Sequence, residues 1–279
     1  MKSPFICLFT CFFILMAPAQ KKSISLDQIW DGSFRTQEMI ALHSMNNGQQ
    51  YSVLNFDRSS RSTSIDLYDY KTLSKVKTIA TSQMMDAIPY FTNYTFSDDE
   101  RQVLLETETE PIFRYSLLGL YYVYNIRSES LEKVSDYKIQ EPAFSPDGTK
   151  VAYGRNNNIF IKDLISGTTK QITFDGEKNK IINGITDWVY EEEFTIKDGF
   201  RWSPDGTQIA YWQSDTKGVG TFYMINNTDS IYSKLIPLPY PKVGTSNSAV
   251  KSSTITLATA SIAETLLASL KALIGSKLT

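Results

Sequence analysis

The segment ITDWVYEEEF, residues 185–194, sets Glu191, Glu192 and Glu193 directly after Trp188, Val189 and Tyr190. Adjacent carboxylates repel one another, and burying them is costly without a positive partner. An arbitrary acidic triplet reads most simply as a solvated charged segment. The flanking Trp, Val and Tyr oppose that reading, because such a cluster is drawn inward. In an extended strand Glu191 and Glu193 share a face while Glu192 points away. In a helical turn Glu192 and Glu193 stand about 100° apart and converge on one small cation. A short helical insertion would supply that turn. At about 4 Å and an effective dielectric near 20, each carboxylate–ammonium contact is worth roughly 4 kcal/mol before desolvation. Two of them select a protonated amine, such as the free N-terminus of a peptide, whose α-amino pKa of about 8 keeps it mostly charged at neutral pH.

Other chemistry is sparse. His43 is the single histidine, and a lone His is more often a surface or core residue than a catalyst. No Gly-x-Ser-x-Gly elbow occurs, and GTSNS from Gly244 does not match one. Both cysteines, Cys7 and Cys11, lie in the first 19 residues, so a Ser-His-Asp triad or a zinc site is hard to assemble from the rest. An all-oxygen metal site is left open, although no Asp-x-Asp-x-Asp-Gly loop is present. No cofactor, no metal and no catalytic residue is therefore expected in this chain. A net charge of −2 gives no electrostatic case for nucleic acid.

Lys2, an apolar run from Phe5 to Met16, and Ala17-Pro18-Ala19 form the pattern of a cleaved secretory signal, residues 1–19. The run is too short to span a bilayer. Cleavage there removes both cysteines and predicts a thiol-free, exported chain, periplasmic or extracellular, with no membrane span and a fold held by packing alone.

The elements that must carry the acidic run repeat. FSPDGTKVAY from Phe144 and WSPDGTQIAY from Trp202 nearly superpose, with weaker copies at FSDDERQVLL from Phe96 and MNNGQQYSVL from Met45. Each reads as a strand end, a tight turn, then an apolar strand. Further short strands follow the turns, such as 65–70 and 73–79 in the first unit and 159–164 and 169–174 in the third. Tyr (16) and Phe (15) outnumber Gly (14), which suits a pleated surface. Several short strands per unit of roughly 50 residues predict an all-β fold, a β-propeller of about four to five blades. A β-sandwich with coincidental turns is the alternative.

ITDWVYEEEF, EPIFRYS (110–116) and YPKVGTSN (240–247) together resemble the N-terminal part of the dipeptidyl peptidase IV family, prolyl-oligopeptidase-type serine exopeptidases. The resemblance covers roughly residues 23–251. It implies part of an eight-bladed propeller that caps an α/β-hydrolase domain, in an enzyme that removes Xaa-Pro or Xaa-Ala dipeptides from peptide N-termini. It further implies that Glu192 and Glu193 hold the substrate ammonium, that Arg114 contacts a substrate carbonyl, and that Glu191 is a supporting residue. A surface or ion-paired role is the alternative reading of Arg114.

By the same resemblance the Ser, Asp and His belong to a hydrolase domain downstream of this sequence. The expectation is thus a propeller at 20–251, inactive alone, with peptide N-termini and a separate hydrolase domain or chain as partners. A non-catalytic propeller that binds peptides or proteins is the alternative. A half ring exposes two blade faces, and losing roughly 400 Å² of apolar burial at each costs on the order of 10 kcal/mol per face, which predicts a marginal or aggregation-prone chain. Residues 252–279 depart from the pattern. They read either as an amphipathic helix, with Ser261 and Glu264 as a capping box, or as out-of-frame translation.

Overall fold

Each of the four predicted turns joins two consecutive, paired strands of one sheet. In the computed structural model, which describes residues 23–36 and 41–257, the turns follow β1 (Leu42–Ser44), β5 (Asn93–Phe96), β9 (Gln140–Phe144) and β14 (Phe200–Trp202). They lead into β2 (Gln50–Asp57), β6 (Gln102–Pro111), β10 (Lys150–Arg155) and β15 (Gln208–Asp215). The two Ser-Pro-Asp-Gly turns are built alike. Gly148 and Gly206 take φ of 67° and 68°, and their N–H groups donate to the carbonyls of Ser145 and Ser203 at 2.8 and 2.9 Å. Asp147 and Asp205 each accept a seryl hydroxyl from two residues earlier and an amide from two residues later. In the weaker copy at residue 96, Glu100 adopts the positive φ that Gly supplies elsewhere, and Asp99 takes the aspartate's part.

The first three sheets are antiparallel meanders. The first runs β1-β2-β3-β4, with β3 (Ser62–Asp69) and β4 (Lys75–Thr81). The second runs β5-β6-β7-β8, with β7 (Leu117–Asn125) and β8 (Ser130–Lys133). The third runs β9-β10-β11-β12, with β11 (Asn158–Asp163) and β12 (Thr169–Gln171). The period-2 pattern of side chains sends alternate residues to opposite neighbours. Val103 and Leu105 pack with Ile65 and Leu67 of the first sheet, whereas Leu104 packs with Val151 and Tyr153 of the third. Ile159 and Ile161 then face Phe200 and Ile209 of the fourth, while Phe160 turns back toward the second. Face-to-face packing of successive sheets, with one core per seam, is the construction of a partial β-propeller and excludes the sandwich alternative.

The fourth sheet differs at the place that matters for function. β15 carries β13 (Ile181–Asn183) and β14 end to end along one edge and β18 (Ala249–Thr256) along the other. The strand position opposite β18 is therefore interrupted, and residues 184–199 leave the sheet between its two halves. A two-stranded ribbon, β16 (Thr221–Asn226) and β17 (Lys234–Pro239), is inserted between β15 and β18. It exposes Phe222, Tyr223, Ile225 and Leu235. An apolar hollow of about 350 Å³ on the fourth sheet is lined by Phe200, Ala210, Tyr211 and Trp212.

β18 passes the boundary that the sequence put at residue 251, continuing through Thr256, and Leu257 N–H donates to Thr207. Residues 252–256 are thus sheet, not tail. Alternation in STITL is short and carries small polar residues, which is why it reads weakly alone. The predicted signal segment, 1–19, and the predicted tail helix beyond residue 257 lie outside the described residues. Among its described residues, a separate unit before residue 41 has a short helix, α1 (Leu26–Trp30), opened by a Ser25–Gln28 capping box. Among the described residues no helix is long and apolar enough to cross a membrane.

Candidate functional site: an acidic helix clasped to an arginine loop

The excursion between β13 and β14 folds as α2 (Trp188–Phe194), so the acidic run is helical. Asp187 caps it, accepting the Tyr190 amide at 3.1 Å, and its other oxygen receives the Ser248 hydroxyl. Thr195 ends it in the left-handed region, φ 57°, a conformation that glycine usually supplies. Seven residues cannot hold a helix in water unaided. Packing supplies the remainder: Trp188 lies 4.5 Å from Tyr240, ring to ring, and Tyr190 lies 6.1 Å from Trp212. The aromatic cluster beside the glutamates therefore fastens the helix to the fourth sheet.

The three carboxylates meet three environments. Glu191, in the first turn, is 1% exposed, and one of its oxygens accepts the backbone N–H groups of Tyr115 at 2.6 Å and Ser116 at 2.9 Å. Its place in the first turn also suits the positive end of the helix dipole. Glu192 is half-buried and accepts Arg114 Nε at 2.8 Å. Glu193 is exposed and lines a cleft of about 780 Å³ together with Trp188, Tyr240 and Lys242.

Arg114 arrives from the second sheet. β6 and β7 continue past a register shift between Thr107 and Glu110, where Glu108 has φ 50°, so their hairpin projects beyond the sheet. Residues 112–116 form its tip, closed by the Ile112 N–H to Ser116 carbonyl bond at 2.9 Å. That tip lays Arg114 against α2 although 78 residues separate it from Glu192. The fold thereby brings three of the residues singled out from sequence together, Glu191 and Glu192 on α2 and Arg114 on the loop, while Glu193, next on the same helix, faces a separate cleft.

Sequence reasoning did not single out Asp187, the Tyr115 and Ser116 amides, or the Trp188–Tyr240 contact. Asp187 was legible in principle, as an N-cap residue directly before a helix-compatible run. The amides were not, because backbone donors leave no mark on residue type.

Arg114 is paired with Glu192, and Glu193 shares its cleft with Lys242. Nε is committed to Glu192, which leaves four of the guanidinium's five N–H donors to reach a carbonyl or carboxylate.

Comparison with known proteins identifies the family. A family model described as "Dipeptidyl peptidase IV (DPP IV) N-terminal region" matches residues 97–273. Prolyl endopeptidase FAP from Homo sapiens is 32% identical over 233 residues, covering 82% of this chain and 30% of the relative. Dipeptidyl peptidase 4 from Sus scrofa is 37% identical over 172 residues, covering 60% of this chain and 22% of the relative. The crystal structure of Porphyromonas gingivalis dipeptidyl peptidase 4 superposes with a TM-score of 0.76 at 32% identity, covering 85% of this chain and 35% of that one. The chain thus spans less than a third of the length of these two relatives.

Proposed function

Because the chain belongs to the dipeptidyl peptidase IV N-terminal-region family, we propose that it is the substrate-recognition part of an exported serine exopeptidase that releases N-terminal Xaa-Pro or Xaa-Ala dipeptides. The observation that carries this reading is the Arg114–Glu192 ion pair set beside Glu193 on one short helix. Glu192 and Glu193 take the substrate ammonium, and the free guanidinium donors of Arg114 take the first carbonyl. Fixing both ends of the first residue measures a set distance along the chain and presents a later peptide bond to a nucleophile. The nucleophile and its base come from a hydrolase domain or chain that joins this propeller, so the 279 residues alone bind without cleaving. Lys2, the apolar run and Ala17-Pro18-Ala19 support export.

The test is calorimetric binding of a Gly-Pro-containing peptide with a free N-terminus, against the same peptide N-acetylated. The free peptide is expected to bind and the acetylated one not. Glu192→Gln with Glu193→Gln is expected to abolish the difference. Equal affinity for the two peptides, or an unchanged difference in the double variant, refutes the reading.

A further inference from the structure

A loop arginine is a poor measuring device unless something stiffens the loop. The 112–116 tip projects from the second sheet past a bulge, and its own closure is one backbone bond, Ile112 N–H to Ser116 carbonyl. The Arg114 side chain is 66% exposed, so packing does not hold it. Hairpin tips of this kind are mobile by default, and a long arginine side chain has many rotamers to lose when it is held in one.

Glu191 supplies what the tip lacks. Its carboxylate, 1% exposed, receives two consecutive backbone amides, those of Tyr115 and Ser116, on one oxygen. A buried carboxylate is an expensive way to hold two pieces of chain together, since an apolar side chain of that size packs without a desolvation cost. Its advantage is direction, because charge-assisted bonds to successive amides fix the orientation of the peptide planes they meet. The Tyr115 amide is the peptide unit directly following Arg114. Among the described residues the Ser116 hydroxyl, itself buried, has no hydrogen-bond partner, so Ser116 is held through its backbone. Glu191 and Glu192 are neighbours on α2, so one helix both orients the backbone after Arg114 and receives its side chain.

We infer that Glu191 is the positioning residue of the arginine loop: it touches no ligand, and it sets the Arg114 guanidinium at the distance from Glu192 and Glu193 that a peptide N-terminus requires. This rests on the proposed function for the identity of the ligand, but the anchoring itself does not.

Amide hydrogen exchange at Tyr115 and Ser116 separates the two. In Glu191→Gln, whose amide oxygen accepts more weakly, both amides are expected to exchange at least tenfold faster, and in Glu191→Asp, which withdraws the carboxylate by one methylene, likewise. In Arg114→Ala they are expected to keep wild-type protection. Affinity for the free-N-terminus Gly-Pro peptide is expected to fall in Glu191→Gln and in Arg114→Ala, and the double variant to be no worse than Arg114→Ala alone. A purely structural role predicts additive losses and faster exchange throughout the fourth sheet. Unchanged Tyr115 and Ser116 exchange, additive affinity losses, or global unfolding of both Glu191 variants each overturns the inference. If wild type fails to bind the peptide, the proposed function falls while the exchange measurements still decide the anchoring.

Discussion

Glu192 and Arg114 meet at 2.8 Å with Glu192 largely shielded and Arg114 open to solvent, and that asymmetry fixes what each does. A shielded carboxylate needs a permanent counter-charge, whereas an exposed guanidinium retains donors for a ligand. Arg114→Lys tests the point, because an ammonium keeps the charge and loses the fork. Its charge still compensates Glu192, so stability is expected to change little. Affinity for a free-N-terminus peptide is expected to fall by about tenfold, the scale of one charge-assisted hydrogen bond at a partly exposed site. Isothermal calorimetry checks both, and wild-type affinity in the lysine variant refutes the role of the fork. The residue types at this site were legible because aromatic residues beside three glutamates are unusual. The different fates of the three glutamates were not, since a row of identical letters carries no record of what each side chain meets.

Among the elements, the tight turns repeat a device whose energetics depend on ionisation. The Ser203 hydroxyl, then the amide and hydroxyl of Thr207, hold the Asp205 carboxyl below its ordinary 3.8, at about 2. Asp147 is lowered too: burial pushes it up, but the Ser145 hydroxyl and the Thr149 amide and hydroxyl outweigh burial. A carboxylate whose value is depressed by folding contributes stability above its unfolded value and loses that contribution as pH falls through its folded one. Asp205→Ala is therefore expected to melt below wild type at neutral pH, with the gap narrowing as pH falls from 3.8 towards 2. Thermal melts across that range check it, and a gap independent of pH rules out ionisation as the source. The turns were the most readable elements, because local chemistry alone specifies them. The interrupted strand that releases α2 was not readable, because β13 and β14 are three residues each and gain their strand pairing from β15, far along the chain from β13.

At the scale of the whole molecule, each sheet buries its faces only against its neighbours, so stability is a sum over seams. Leu105 is fully buried in the seam between the first and second sheets. Leu105→Ala is expected to cost about 2–5 kcal/mol and to speed amide exchange chiefly in those two sheets, with Ile159 and Ile209 across the third seam less affected. Equal acceleration everywhere would show one cooperative unit and refute the additive picture. The sequence by itself determined the repeating unit, the alternation that sends Leu104 and Leu105 to opposite seams, and the presence of an uncompensated acidic run, since these follow from spacing and residue type. Only the tertiary structure decided that a hairpin from the second sheet reaches the helix of the fourth, joining Arg114 to Glu192 across 78 residues. It alone decided, too, that Glu191 is spent on two backbone amides. The physical reason is that turns and alternation are short-range interactions encoded in adjacent letters, whereas a charge finds its partner through the curvature of stacked sheets, which no local stretch contains.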